Sequence, residues 1–190
     1  MMDRPETLLL NYRTAVKYVP SDPAQGEPLE LADEIVLLLD QRERIETGLR
    51  SRDPYLLDQI EQVTQIDKEL LRKRHSLLSL APWYGNIRQG KKISAFHWWW
   101  YLDQIPGRRC PECQAEMDVE IVSLTMDYHG AQETAPSFLV YICPRCGAKS
   151  VPALSLGSFQ ELLGSVLDRD RAQARHRPPA GRTVSALVSS

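Results

Sequence analysis

Cys110-Pro111-Glu112-Cys113 and, after 29 further residues, Cys143-Pro144-Arg145-Cys146-Gly147 contain every cysteine of this 190-residue chain. Each pair has two residues between its sulfurs. At that separation one tight turn aims both thiolates at a single ion, so two such turns supply the four soft donors of a tetrahedral zinc site. Proline after the first cysteine of each pair sets φ there. Gly147 follows the second pair, where a left-handed residue is often needed, and Gln114 stands at the same place after the first. Between the pairs, β-branched and aromatic residues crowd Val119–Leu124 and Phe138–Ile142 around a turn rich in Gly, Pro and polar residues, which predicts an antiparallel hairpin.

Turn, strand, hairpin and second turn together resemble the zinc ribbon, a fold group rather than one family. The resemblance implies one structural Zn2+ held by Cys110, Cys113, Cys143 and Cys146, with no open position for substrate. Cys-Pro-x-Cys also occurs in thioredoxin-like redox sites, but those need one pair opening a helix in a βαβ unit. Neither pair here is followed by a helical pattern, and two pairs matched across a hairpin favour metal.

On the C-terminal side, Met117, Val119 and Ile121 alternate on one strand face, and Val122, Leu124, Met126 and Tyr128 on the other. This change of phase predicts a bulge near Ile121. Val151–Leu156 reads as a further strand, kept at a sheet edge by Pro152. Ser158 then reads as the cap of a helix with Phe159, Leu162, Leu163, Val166 and Leu167 on its apolar face.

On the N-terminal side, Asp3 and Pro5 signal a helix start, and Leu8, Leu9, Tyr12, Val16 and Val19 recur at helical spacing up to Pro20. Residues 20–28, with three prolines and a glycine, read as a loop. Leu31, Ile35, Leu38, Arg42, Ile45 and Leu49 form one helical seam. After Pro54, Leu56, Ile60, Val63, Asp67, Leu70, Arg74 and Leu77 form another. So short a connection predicts an antiparallel helical hairpin. Charged residues in a seam need partners, and Arg42 can face Asp67 across the hairpin. A helical hairpin followed by a four-cysteine site also resembles the bacterial regulators that insert a coiled coil into the secondary channel of RNA polymerase. That likeness implies acidic residues at the tip. Here Asp53 and Asp58 are the candidates, opposed by the flanking Arg50 and Arg52.

The connector is the most unusual in composition, for all four tryptophans lie between residues 81 and 107. Trp98, Trp99 and Trp100 are consecutive and cannot share one face of a helix or strand, so at least one is expected at a surface or a second interface. Trp98, Trp99, Trp100 and Tyr101, with Arg88, Lys91, Lys92, Arg108, Arg109, Arg145 and Lys149, form a candidate binding set for nucleic acid or a protein partner. Bases stack on rings while cations track phosphates, and protein interfaces use the same residue types as anchors. The competing reading makes the tryptophans a core wedged between hairpin and ribbon, and the cations near the cysteines an offset to thiolate charge. His97 reads as a satisfied core or surface histidine, because four cysteines already complete a zinc site.

The expected fold class is α+β: an N-terminal α-helical hairpin followed by a small antiparallel β zinc ribbon and a C-terminal helix. The segments are 1–28, N-terminal helix and Pro-rich loop; 29–80, helical hairpin; 81–107, aromatic and basic connector; 108–157, ribbon; 158–174, C-terminal helix; 175–190, disordered tail. With 25 acidic and 23 basic side chains the net charge is −2, which carries no global nucleic-acid signature. No start resembling a signal peptide and no run of the roughly 20 apolar residues of a membrane span is present, and cysteines spaced for metal suit a reducing cytoplasm. No nucleophile elbow, phosphate loop or His-Glu-x-x-His helix occurs, which ranks an enzyme lower. The expected function is a non-catalytic adaptor or regulator that presents its hairpin and zinc-stabilised surface to a larger protein assembly. The alternative is a nucleic-acid-binding zinc-ribbon protein.

Overall fold

The computed structural model describes residues 4–21, 30–81, 83–87, 93, 97–129 and 131–174. They form N-terminal helices, a four-stranded antiparallel sheet and a C-terminal helix. The chain divides into two compact units, Met1–Arg108 and Arg109–Ser190. The expected loop at 20–28 and tail at 175–190 lie largely or wholly outside the described residues.

In unit 1, α1 (Pro5–Tyr18) starts on a proline, whose missing N–H has no helical partner to lose in a first turn, and buries Leu8, Leu9, Tyr12 and Val16. Its apolar seam packs along α2 (Glu30–Arg50) and touches a later helix as well, so the first helix is part of the helical core rather than a separate appendage. α2 stops where Arg52 turns left-handed (φ 61°), with Asp53 N–H donating to Gly48 O at 2.9 Å and Arg52 N–H to Leu49 O at 3.0 Å. These bonds satisfy carbonyls that a helix end leaves open. Gly48 leaves room there for Leu56, whose Cδ1 would lie 2.3 Å from a Cβ and would have to shift to admit one.

The single helix expected after Pro54 is three: α3 (Pro54–Asp58), α4 (Ile60–Arg72) and α5 (Arg74–Leu80). The Asp53 carboxylate accepts from Leu56 N–H at 3.1 Å and caps α3, so this acid has a structural task. Lys73, at the second break, donates through Nζ to the carbonyls of Val16 and Lys17 at 3.0 and 2.9 Å, which closes the C-terminus of α1. Nothing in the sequence explains the break at Gln59.

Arg42 and Asp67 meet as the seams require, and both side chains are fully buried. Arg42 Nε donates to both Asp67 oxygens at 3.0 and 2.9 Å, and Tyr12 Oη donates to Oδ1 at 2.5 Å. Arg42 Nη1 reaches Glu46 Oε2 at 3.1 Å, and its guanidinium carbon lies 4.0 Å from the centre of the Trp99 ring. Burial, and then the Asp67 carboxylate, push the Tyr12 phenol well above its ordinary value, so it stays a proton donor. Burial opposes the charged form of Arg42, but Asp67 and Glu46 outweigh it and hold the guanidinium charged.

Trp98, Trp99 and Trp100 form one 3-10 turn, and all three are buried, at 3%, 2% and 1% exposure. Of the two expected alternatives, a surface or a second interface, the surface is excluded. A 3-10 turn sends consecutive side chains in three directions, and unit 1 supplies a partner in several of them. Trp99 lies under Arg42 and stacks on His97 (4.8 Å), Trp98 meets Trp99 edge-on (5.8 Å), and Trp100 Nε1 donates to Glu43 Oε2 at 3.1 Å. After α6 (Tyr84–Ile87) is placed, the Tyr84 hydroxyl donates to Trp99 O. His97 is buried with Nδ1 2.8 Å from Glu43 Oε2. Burial acts to raise the Glu43 carboxyl, but His97 and the two indoles prevail and lower it.

The strand order of the sheet is β1 (Arg108–Arg109, at the boundary between the units), then β2 (Glu116–Tyr128), β3 (Ala131–Ile142) and β4 (Lys149–Ser150) in unit 2. The β2–β3 register slips between Val122 and Leu124, opposite Pro136 and Ser137, so the expected bulge lies just past Ile121 with its extra residue on β3. Pro136 has no N–H for the ladder, and Ser137 sits at φ 57°. The strand expected at Val151–Leu156 is not formed: α7 (Ala153–Ala174) begins immediately after Pro152, and Ser158 lies inside it. Proline suits the residue before a first helical turn, and Ser155 Oγ donates to Leu139 O at 2.9 Å, fixing that turn on β3. Leu162 and Val166 are buried as expected, whereas Phe159 and Leu163 are partly exposed.

Replacing Arg42 by Met strands a buried carboxylate and is expected to cost unit 1 about 3–5 kcal/mol, whereas Arg42→Met with Asp67→Leu recovers most of it. Urea unfolding of the two variants checks this. Loss of the same size in both would mean that the pair does not act as a unit. Tyr12 also contributes stability that is complete below about pH 10 and is lost as pH rises through its raised value. Tyr12→Phe should therefore flatten the alkaline limb of a stability-against-pH curve.

Candidate metal centre

Two turns of the same construction build the site. In the first, Gln114 N–H donates to Cys110 O at 2.9 Å and Cys110 N–H to Ala115 O at 2.8 Å. In the second, Gly147 N–H donates to Cys143 O and Cys143 N–H to Ala148 O, both at 2.9 Å. Gln114 (φ 60°) and Gly147 (φ 73°) are both left-handed, so the glutamine takes the conformation expected of a glycine. The repeat Cys-Pro-x-Cys-x-Ala, with Ala115 and Ala148 closing each turn, is a signal that the cysteine spacing alone does not use.

The β2–β3 hairpin brings the turns together. Cys110 and Cys146 sulfurs are 3.5 Å apart, Cys113 and Cys143 3.4 Å, Cys113 and Cys146 3.7 Å, and all four lie within 4.8 Å of one another. None of the four is in a disulfide. A tetrahedron of sulfurs at about 2.3 Å from a central zinc has edges of about 3.8 Å, so the spacing fits such an ion. The four cysteines are thus a possible metal site, consistent with a zinc-binding motif. Cys110 and Cys143 are buried with Met117 and Tyr141, Cys113 is half-buried and Cys146 is exposed.

The sulfurs differ in proton affinity. Burial acts to raise Cys143, but amide donors at Cys146 and Arg145 and the neighbouring thiols outweigh it and hold it at about 6. The amide of Ala148 acts to lower Cys146, yet the sulfurs of Cys110 and Cys143 prevail and push it up to about 12. At Cys113 the amide of Ala115 is likewise outweighed, by burial and Cys143, and the thiol is raised. Close sulfurs resist carrying several charges together unless a cation balances them.

Of the remaining candidate residues, Arg108 is exposed at the end of unit 1, and Arg109, Arg145 and Lys149 are exposed in unit 2. Arg109 Nη1 donates to Gln114 O at 3.4 Å. Arg88, Lys91 and Lys92 lie outside the described residues. Trp98, Trp99 and Trp100 are buried and offer no ring face to a base. Tyr101 is half-buried, with its hydroxyl donating to Ile93 O at 3.3 Å. Among the described residues no helix is long and apolar enough to cross a membrane. The chain matches no family model, no curated protein and no solved structure.

A residue with a Cβ held left-handed costs about 1–2 kcal/mol. No atom would crowd a Cβ at Gly147, so Gly147→Ala should lower stability by about that amount through φ alone. Gln114→Gly relieves the same strain and should raise stability by up to about 1 kcal/mol, less glycine's unfolded-state entropy. Thermal unfolding of the metal-saturated variants checks both signs.

Proposed function

We propose that Cys110, Cys113, Cys143 and Cys146 hold one structural Zn2+ in a zinc ribbon, and that the protein is a non-catalytic adaptor or regulator within a larger protein assembly. The convergence of four sulfurs within 4.8 Å carries this reading. Thiolates are soft ligands that select zinc over the oxygen-seeking cations. Four of them complete a tetrahedron, so the ion has no position for substrate and its work is to hold the fold. Zinc supplies folding energy when bound. The chain's own contribution is the two matched turns, which aim the sulfurs, and the amide donors that favour thiolate at Cys143. A reducing compartment such as the cytoplasm keeps these thiols in ligand form.

Exposed Arg109, Arg145 and Lys149 also support nucleic-acid binding, but burial of Trp98, Trp99 and Trp100 removes them both as stacking platforms for bases and as anchors for a protein partner. Protein purified under reducing conditions should contain one equivalent of zinc by elemental analysis. Chelation should unfold unit 2, observed as loss of amide protection across β2 and β3, with re-addition of zinc restoring it. Less than one equivalent after resupply, with protection unchanged, would remove the metal reading. Salt-sensitive binding of single-stranded oligonucleotides, weakened by Arg109→Glu and Arg145→Glu, would replace the adaptor reading with the nucleic-acid one.

A further inference from the structure

Sulfurs held in contact can be joined to each other as well as to a metal. Cys110 Sγ stands 3.5 Å from Cys146 Sγ, and Cys113 Sγ stands 3.4 Å from Cys143 Sγ. Both contacts cross from one turn to the other, and together they use each sulfur once. The sheet anchors the turns at both ends. Cys110 and Cys113 lie between β1 and β2, and Cys143 and Cys146 between β3 and β4, with Asp118 paired to Ile142 and Ile142 to Lys149. Each sulfur therefore meets its cross-turn neighbour at a high effective concentration. A disulfide sets its sulfurs about 2.05 Å apart, so closing Cys110 on Cys146 asks for a movement of about 1.5 Å shared between two turns.

Access to the four is unequal. Cys146 is exposed, Cys113 is half-buried, and Cys110 and Cys143 are buried. Arg145, the residue before Cys146, is exposed as well. A small polar oxidant thus reaches Cys146 first, and a buried sulfur stands in contact behind it. An accessible sulfur with a second one poised to resolve it is the arrangement of oxidant-sensing cysteines. In the metal-loaded site Cys146 is a thiolate, because a ligand sulfur must be deprotonated.

We propose that this site is also one of oxidative modification: a hydroperoxide oxidises Cys146, Cys110 resolves it to a disulfide that joins the two turns, and the zinc leaves while the hairpin stays closed. The inference rests on the metal reading and adds a regulation to the same site. In the first step the Cys146 thiolate attacks the peroxide. An S–O bond forms as the O–O bond breaks, and the departing oxygen takes a proton from solvent and leaves as alcohol or water. In the second, the Cys110 thiolate attacks the Cys146 sulfur. An S–S bond forms as the S–O bond breaks, and the hydroxide takes a proton and leaves as water. Two thiolates have given up two electrons, and one hydroperoxide has accepted them. A second hydroperoxide joins Cys113 to Cys143 by the same steps. Disulfide sulfurs carry no charge, so the thiolates left after the first step do not complete a four-sulfur site. The link differs from that of a thioredoxin-like motif, which closes within one Cys-Pro-x-Cys. Here it ties the residues before β2 to those after β3, so a covalent bond takes over the closure that the ion provided.

The metal-loaded full chain, treated with equimolar hydrogen peroxide and then alkylated, should yield the Cys110–Cys146 disulfide before any other, with zinc passing to a chromogenic chelator in step. Cleavage at Glu112, Glu116 and Arg145 places the four cysteines on separate peptides for mass spectrometry. Amide protection across β2 and β3 should survive this oxidation, whereas chelation of the reduced chain removes it. Reduction by a dithiol with added zinc should return the starting state. A first disulfide that lacks Cys146, links confined to Cys110–Cys113 or Cys143–Cys146, thiols that stay intact in excess peroxide, or protection lost together with the metal each overturns the proposal. A preparation that takes up no zinc counts against the metal reading instead, and the peptide map then decides this one by itself.

Discussion

Four sulfur atoms drawn within 4.8 Å of one another are the constraint on which unit 2 turns. One pair stands just before β2 and the other just after β3, so bringing them together closes the hairpin at its open end. Cys110, Met117, Tyr141 and Cys143 form a small buried cluster there, and the rest of the unit follows from it. α7 runs back along the hairpin from Ser155, bonded to Leu139, to Asp170, 3.2 Å from His129 beside the turn. Ile121, Phe138, Leu139, Leu162 and Val166, from the hairpin and α7, are buried as well and give the unit further apolar core.

Unit 1 is organised by a different kind of constraint. A fully buried arginine is tolerable only when its charge is met, and Asp67, Glu46 and the face of Trp99 meet it, while Nη2 has no hydrogen-bond partner among the described residues. Tyr12 extends the network into α1. Replacing such a pair by apolar residues can leave a fold as stable, so its value lies as much in specifying which helices meet as in energy. The 3-10 turn at Trp98–Trp100 lays the Trp99 ring under Arg42 and brings the Trp100 indole to the Glu43 carboxylate, beside which His97 also stands.

The seams of α1, α2 and α4 could be read directly, since their burial follows helical spacing. So could the partner of Arg42, because a charge in an apolar seam demands one. The hairpin and its bulge followed from alternation and its change of phase. The division of the second arm into three helices was not legible, because no proline or glycine marks Gln59 or Lys73, and the Lys73 bonds to α1 are made across more than fifty residues of sequence. Val151–Leu156 misled for a related reason: six residues of mixed apolar and small character suit an edge strand or a helix start equally, and only the bond from Ser155 to Leu139 selects the helix. The tryptophans were the largest such case. Local geometry says that three neighbours point three ways, but it does not say whether something waits in each direction.

By itself the sequence determined which four cysteines come together as a possible metal site, the helical seams and the hairpin, because each is a matter of spacing along a chain whose local geometry has few solutions. Only the tertiary structure decided that the tryptophans are interior, that α1 joins the helical core and that α7 starts at Ala153. Those outcomes depend on which surfaces happen to meet, and contact between residues far apart in the chain leaves no period for a reader of the sequence to find.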